Sequence, residues 1–324
     1  MIHAGYGCEF GLPGMVVEAL ASAAVHEAST SVLLPESLWT SQVPTNESLT
    51  LGTKPSTPPV KNVHAFTIVA RILRDQELGK IEEKDPIGTF TTLLQRHGEY
   101  LNKYLVQWTY DRSDPREPER KIEEIVWTNT IIFGIGGWSK GKRFNSDFLS
   151  MHLVTSSLFL SSITANLKPE SQELLLRGYF GLSVAWWLGR GRPGLDIAGF
   201  FSEDTSYLTP DGPFPTPHAN SLPSATSPKA TTPNPWLPII QTSIVTPDDH
   251  TPKLYRALAH YGSLYGSRAP GQLDFAGTEL PFAEKLDGSL FIRVAGLASE
   301  RLFRKDLDVK TGIWERHGFF GVGS

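Results

Sequence analysis

The sequence predicts a mainly α-helical protein, a multi-helix bundle with long Pro/Ser/Thr-rich loops and few or no strands. Three observations carry this. Apolar residues recur every three to four positions, as in Phe66, Val69, Ile72 and Leu73, which is the period of one helix face. Prolines stand where apolar periodic segments begin, at Pro13, Pro169 and Pro252; a missing N–H is no loss in a first helical turn. The segment in which a strand competes, the β-branched KIEEIVWTNTIIFGIGG, carries no hairpin signals and is assigned to helix.

In chain order, His3 is followed by a glycine-spaced turn (Gly5, Gly7), then by Glu9 and Phe10. Pro13 starts a helix that ends near His26. Leu12, Val16, Leu20 and Ala24 form one apolar stripe, and Met15, Ala19, Ser22 and His26 a neighbouring stripe of mostly small residues. Residues 30–60, rich in Ser, Thr and Pro around Trp39, read as a long connection. VHAFTIVARILRDQEL is the next helix. IGTFTTLLQRHGEYLNKYLVQWTY is another, with Phe90, Leu93, Leu94, His97, Leu101, Tyr104, Leu105 and Trp108 on a broad face. DRSDPREPER is a loop. FNSDFLSMHLVTSSLFLSSI is a buried helix, with Asn145 or Ser146 as cap and Asp147 in its first turn. PESQELLLRGYFGLSVAWWLGR is a long apolar helix from Pro169. TPKLYRALAHYGSLYG begins with Thr251 as cap and Pro252 in the first turn, and FIRVAGLASERLFRKDL is the last helix before a tail with Trp314. The Pro/Ser/Thr-dominated stretch at 202–235 reads as a disordered insertion in a single helical domain of residues 1–324.

At 324 residues the chain can bury a sizeable core. A net charge of -4 argues against nucleic acid or an anionic membrane as partner. Cys8 is the only cysteine, so disulfides within the chain and zinc sites of the CxxC type are excluded. That suits a reducing compartment. No stretch approaches the roughly 20 apolar residues of a membrane span, and no basic-then-apolar leader opens the chain. A cytoplasmic location is expected.

GRGRPG (Gly189, Gly191, Gly194) matches GxGxxG, but it follows a helix rather than a strand and contains Pro193, so it reads as a helix-terminating turn. GIGGWSKGK lacks P-loop spacing, and there is no GxSxG elbow. None of the nine histidines forms HxH or HxxxH, so a metal site would have to be assembled from distant helices. His152 lies mid-helix between apolar residues, either as a core histidine bonded to a carbonyl or as a ligand. Lys253 falls in a first helical turn, where a cation opposes the helix dipole by roughly 0.3–1 kcal/mol. It is either an ordinary surface lysine or a functional one. His250 is a neighbouring orienting residue or part of the turn. His26 and His64 rank second, and His218 reads as solvent-facing. Trp39, Trp186, Trp187 and Tyr255 are either core or ring-stacking walls.

Four blocks, HAGYGCEFGLPGMVVEALASAAVH, SDFLSMHLVTSSLFL, TPDDHTPKLYRALAHYG and KLDGSLFIRVAGL, resemble in sequence and order the fungal questin oxidase-like family. These are aromatic polyketide ring-opening oxidoreductases of secondary metabolism. The resemblance covers nearly all of the chain. Members usually carry a further helical segment with a histidine cluster before the first block, so this chain is expected to be N-terminally incomplete relative to them. The resemblance implies oxidative ring cleavage of an aromatic, anthraquinone-like polyketide with molecular oxygen at non-heme iron, Fe(II). Oxidative chemistry on such a ring needs a cofactor. It also implies His3, His152 and Lys253 as metal residues, with His152 and Lys253 catalytic. Lys253 would serve as a carbamate, an anionic oxygen ligand that suits a helix N-terminus. The alternatives are an NADPH-dependent Baeyer–Villiger-type monooxygenase, which requires a nucleotide site, and an inactive or truncated helical scaffold.

Overall fold

The computed structural model describes residues 1–26, 30–34, 62–79, 81, 85–203, 234, 236–302 and 314–320. Trp39, His218 and most of the expected 30–60 connection and 202–235 insertion lie outside the described residues. Among the described residues there are α-helices and two short 3-10 turns but no strand; a single parallel bridge pairs Asp147 with Glu315. The chain forms two compact units.

The first unit comprises residues 1–125, 159–189 and 278–280. It opens with α1 (Ile2–Phe10) and α2 (Pro13–Val25). The glycines expected to make a turn are helical instead, because tertiary packing outweighs the roughly 1 kcal/mol helix penalty of glycine. A Cβ at Gly5 would stand 2.2 Å from Phe159 Cγ. The turn falls at Gly11, which caps α1 at φ 64°. Helix α2 starts at Pro13 as predicted, yet none of its residues is buried, and Leu20 of the expected apolar stripe is 65% exposed.

Helix α3 (Ala65–Arg74) buries Phe66, Val69 and Ile72 of the predicted face and Ile68 besides, while Leu73 is only half-buried. Arg71 Nε donates to Glu279 Oε1 at 2.9 Å, which ties residues 278–280 to this helix. Helix α4 (Pro86–Leu105) is capped by Asp85, which accepts from Gly88 N. Helix α8 (Pro169–Gly189) packs along α4: Phe90 stacks on Trp186 with centroids 4.0 Å apart, and Gly181 lets Leu105 approach. Trp187 is fully buried, so this tryptophan pair builds core rather than a substrate wall.

Helix α5 (Glu117–Gly134) resolves the helix-or-strand question; it spans the junction between the units at residues 125 and 126. At its start Lys121 is enclosed between Glu117 and Glu124. Glu124 Oε2 also accepts from Ala65 N and Trp108 Nε1, each at 2.7 Å.

The second unit comprises residues 126–158, 190–277 and 281–324. Gly134 at the end of α5 lies against Val294, a contact that leaves no room for a Cβ. Helix α6 (Phe148–Ser157) is capped by Asp147, whose Oδ1 accepts from Ser150 N at 2.8 Å. The cap is thus one or two positions later than expected. Asn145 is engaged elsewhere, donating to Gly318 O, and the Ser146 carbonyl accepts from Glu315 N. The predicted long helix also breaks after Ser157 and resumes in the first unit as α7 (Leu160–Thr164). Ser156 and Ser157 hydroxyls bond back to the carbonyls of His152 and Val154, a habit that bends helices.

Helices α9 (Ile197–Ser202), α10 (Trp236–Ile244), α11 (Thr251–Tyr265), α12 (Leu273–Ala276) and α13 (Leu290–Leu302) complete the unit. Helix α11 is fixed by its tyrosines. Buried Tyr255 reaches Ser299 Oγ on α13 at 2.9 Å, and Tyr261 donates to Val154 O on α6 at 2.9 Å. Tyr255 is therefore a core residue too.

Candidate functional site

The middle of α6 and the start of α11 bring His152 and His250 together in the second unit. Their rings lie 5.3 Å apart at 69°. His152 is half-buried, and its Nδ1 is 2.7 Å from Phe148 O, one turn earlier. A carbonyl can only accept, so Nδ1 carries the hydrogen and Nε2 keeps the lone pair. Burial, aided by the charges of His250 and Lys253, pushes the His152 imidazole below its usual value against the opposing pull of the Phe148 carbonyl. It is therefore neutral at neutral pH, the form that binds metals.

His250 is arranged the same way. Its Nδ1 lies 2.8 Å from Asp249 Oδ1, which again leaves Nε2 as the open nitrogen. A histidine oriented through one nitrogen by a carbonyl or carboxylate is the usual support for a metal-ligating imidazole. Phe148 and Trp314 wall the pair, with centroids 5.0 and 6.4 Å from His250.

The ligand atoms of Asp248, Asp249 and His250 lie within 4.8 Å of one another. Two roles compete for Asp248. Its Oδ2 accepts from Thr251 N at 2.7 Å and from Thr251 Oγ1, and both oxygens are 3.2 Å from Trp314 Nε1. An acceptor so fully engaged is a clamp on the start of α11 rather than a free ligand. The cap position itself is His250, one residue before the Thr251 that spacing suggests. Asp249 is 77% exposed, and His250 and then Lys253 hold its carboxyl below the usual range.

Lys253 lies in the first turn of α11. Its Nζ is 3.5 Å from Asp249 Oδ2 and its side chain is 38% exposed. The nearby carboxylate offsets the unfavourable placement of a cation at a helix N-terminus. His3 belongs to the first unit. It is 53% exposed, with Nδ1 3.5 Å from Glu18 Oε2 across the α1–α2 hairpin. The structure thus brings His152 and Lys253 into one neighbourhood and adds His250. His26 bonds Ser22 O on the surface, and His64 caps α3 by accepting from Phe66 N.

Sequence reasoning missed Phe148, Asp248, Asp249 and Trp314. The run DDH followed by Thr-Pro was a signal for the first turn of α11, but no local spacing shows that Trp314 returns to it. That return depends on the glycine motif. Gly189 ends α8, Gly191 takes φ 101° and Arg192 φ 42°, so GRGRPG is a helix-terminating turn. It delivers Arg190, 1% exposed, to Asp147. Arg190 Nε and Nη2 donate to Asp147 Oδ2 at 3.0 and 2.5 Å, and Nη2 also donates to Arg316 O at 2.7 Å. Phe148 N donates to Glu315 O, and Phe319 N to Arg190 O. Residues 314–320 are strapped beside the histidine pair by these bonds.

Residues 1–258 match the family described as Questin oxidase-like. The chain is 28% identical over 205 residues to the Baeyer-Villiger monooxygenase dmxR6 of Cryptosporiopsis sp. (strain 8999), a stretch covering 60% of this chain and 42% of that protein. It is 24% identical over 213 residues to the Baeyer-Villiger oxidase AgnL3 of Paecilomyces divaricatus, covering 65% and 43%. The chain spans less than half the length of the curated relatives it matches.

Proposed function

This chain belongs to the questin oxidase-like family, and from that premise we propose that it is an oxidoreductase of fungal secondary metabolism that uses molecular oxygen to cleave an aromatic, anthraquinone-like polyketide at non-heme iron. The observation that carries the reading is the pair of imidazoles, each with Nδ1 tied and Nε2 open, beside Lys253. Nitrogen and oxygen donors of this kind suit ferrous iron. His152 and His250 would hold the metal, with Lys253 as carbamate; His3, which the resemblance also implies, lies beside Glu18 in the first unit. Bound Fe(II) would supply the one-electron chemistry through which oxygen attacks a ring.

The chain's own residues would do the rest. The Phe148 carbonyl and Asp249 fix the two ring orientations. Asp248 clamps the first turn of α11 and so sets the position of Lys253. Phe148 and Trp314 offer flat apolar faces to an aromatic substrate.

The test is iron content per chain after anaerobic purification with ferrous iron and bicarbonate, with Lys253→Ala and His152→Ala alongside. Near-stoichiometric iron in the parent, lost in both variants, supports the reading. Absence of iron from the parent sinks it for this chain.

The names of the two relatives favour a second reading, an NADPH-dependent Baeyer–Villiger-type oxidation. The glycine turn gives it no nucleotide fold, since it ends a helix instead of joining strand to helix. Saturable, tight NADPH binding to the metal-free chain would favour this reading over the first.

A further inference from the structure

The first unit holds a cavity of about 790 Å³ lined by Trp108, Tyr110, Glu117, Arg120 and Arg177 among others. That volume is within the range of clefts that enclose small molecules, roughly 300–1,000 Å³. Its hydrogen-bonding groups are unequally engaged. Glu117 Oε1 accepts from Asp111 N at 3.0 Å, and Oε2 accepts from Arg120 Nε and Nη2 at 3.1 and 2.6 Å. The Trp108 carbonyl accepts from Arg177 Nη1 at 2.7 Å. Asp111 accepts from Ser113 through Oδ1 and keeps Oδ2 free at the exposed rim.

The donors are less fully engaged. Arg177 directs Nε to Glu173 and Nη1 to Trp108 O, which leaves Nη2. Arg120 directs Nε and Nη2 to Glu117 and Asp114, which leaves Nη1. The Tyr110 hydroxyl has no hydrogen-bond partner among the described residues. Burial, reinforced by Glu173 and Glu117, pushes its phenol up to about 12, so it remains a donor.

We propose that this cavity is a binding site for a small carboxylate-bearing molecule, received by Arg120 Nη1, Arg177 Nη2 and the Tyr110 hydroxyl. Charged N–H donors match a carboxylate in charge, and such bonds are stronger than neutral ones. The lining charges of Asp111, Glu117, Arg120 and Arg177 balance. Recognition therefore comes from directed donors, not from a general positive field. The proposal is independent of the iron reading.

The test is isothermal titration of the full chain with benzoate at fixed ionic strength, with chloride and inorganic phosphate as comparison anions. One-site saturable binding of benzoate is expected. Tyr110→Phe should weaken it about fivefold, the value of one hydrogen bond, and Arg177→Lys about tenfold or more. Arg71→Lys, which lies in the Glu279 clasp, should leave it unchanged. No saturable heat, equal binding of chloride, tighter binding of phosphate, or an unchanged affinity in Tyr110→Phe would each overturn the proposal. A loss confined to Arg177→Lys would overturn it as well, because Arg177 also braces Glu173 and Trp108.

Discussion

Lys121 and Lys253 both stand near the start of a helix with carboxylates beside them, and the fold treats them in opposite ways. Lys121 is enclosed: Nζ is 2.7 Å from Glu124 Oε1, 3.7 Å from Glu117 Oε1 and 5.2 Å from the Trp108 ring centroid. Lys253 has one carboxylate at 3.5 Å, and that carboxylate is 77% exposed. A cation enclosed by several partners cannot change partner without disturbing the surrounding packing, so its role is to hold the helix start. An amine tethered by one exposed carboxylate can leave it without disturbing the packing. The number of partners and the degree of enclosure separate a structural lysine from a candidate reactive one, whereas their sequence contexts look alike.

The largest expected effect breaks the enclosed member. Lys121→Met leaves buried Glu124 without its lysine counter-ion, while Glu117 keeps Arg120, and should lower unfolding stability by about 3–5 kcal/mol in a urea titration. A loss below about 1 kcal/mol would mean that the pairing contributes nothing beyond an ordinary surface substitution. Next is the cluster's second anchor. Trp108→Phe keeps the ring against Phe180 but removes the indole donor to Glu124, and a loss of about 1–3 kcal/mol is expected in the same titration. Lys253→Ala should change stability by less than about 1 kcal/mol, as for other exposed pairs, while abolishing iron retention. A large stability loss there would make Lys253 a structural lysine after all.

The smallest effect is confined to acid. Burial alone would raise the Asp75 carboxyl, but hydrogen bonds from Tyr104, Leu78 N and Tyr100 outweigh it and hold it at about 2. A depressed carboxyl contributes stability above its ordinary value of 3.8, and that contribution is lost as pH falls from there to about 2. Asp75→Asn should therefore flatten the stability profile between those limits and leave its slope at neutral pH unchanged.

The helices were legible in the sequence because their apolar faces repeat locally. Phe66, Val69 and Ile72 on α3, and Pro252 in the first turn of α11, needed no tertiary information. The first nine helical residues were not legible, because Gly5 is helical only through the contact it allows with Phe159, more than 150 positions away. Leu20 misled in the other direction: a periodic stripe predicts a helix but not that anything covers it. In the candidate site, His152 and Lys253 could be singled out from the residues and the family resemblance. His250 could not be ranked, because its partners Asp249 and His152 come from a local turn and a distant helix. Asp147 reads from the sequence as a first-turn residue, yet it is both the cap of α6 and the partner of Arg190, which belongs to the GRGRPG turn.

The bonds holding residues 314–320 bear on how the gene can be shortened. The family match stops at residue 258, partway along Thr251–Tyr265. A fragment trimmed to that limit would keep His152, His250 and Lys253 but discard the indole on Asp248 and the carbonyl that receives Arg190. Arg190 and Asp147 would remain paired beneath an uncovered surface. For expression, crystallisation or directed evolution, the reading frame should therefore extend at least through Phe320.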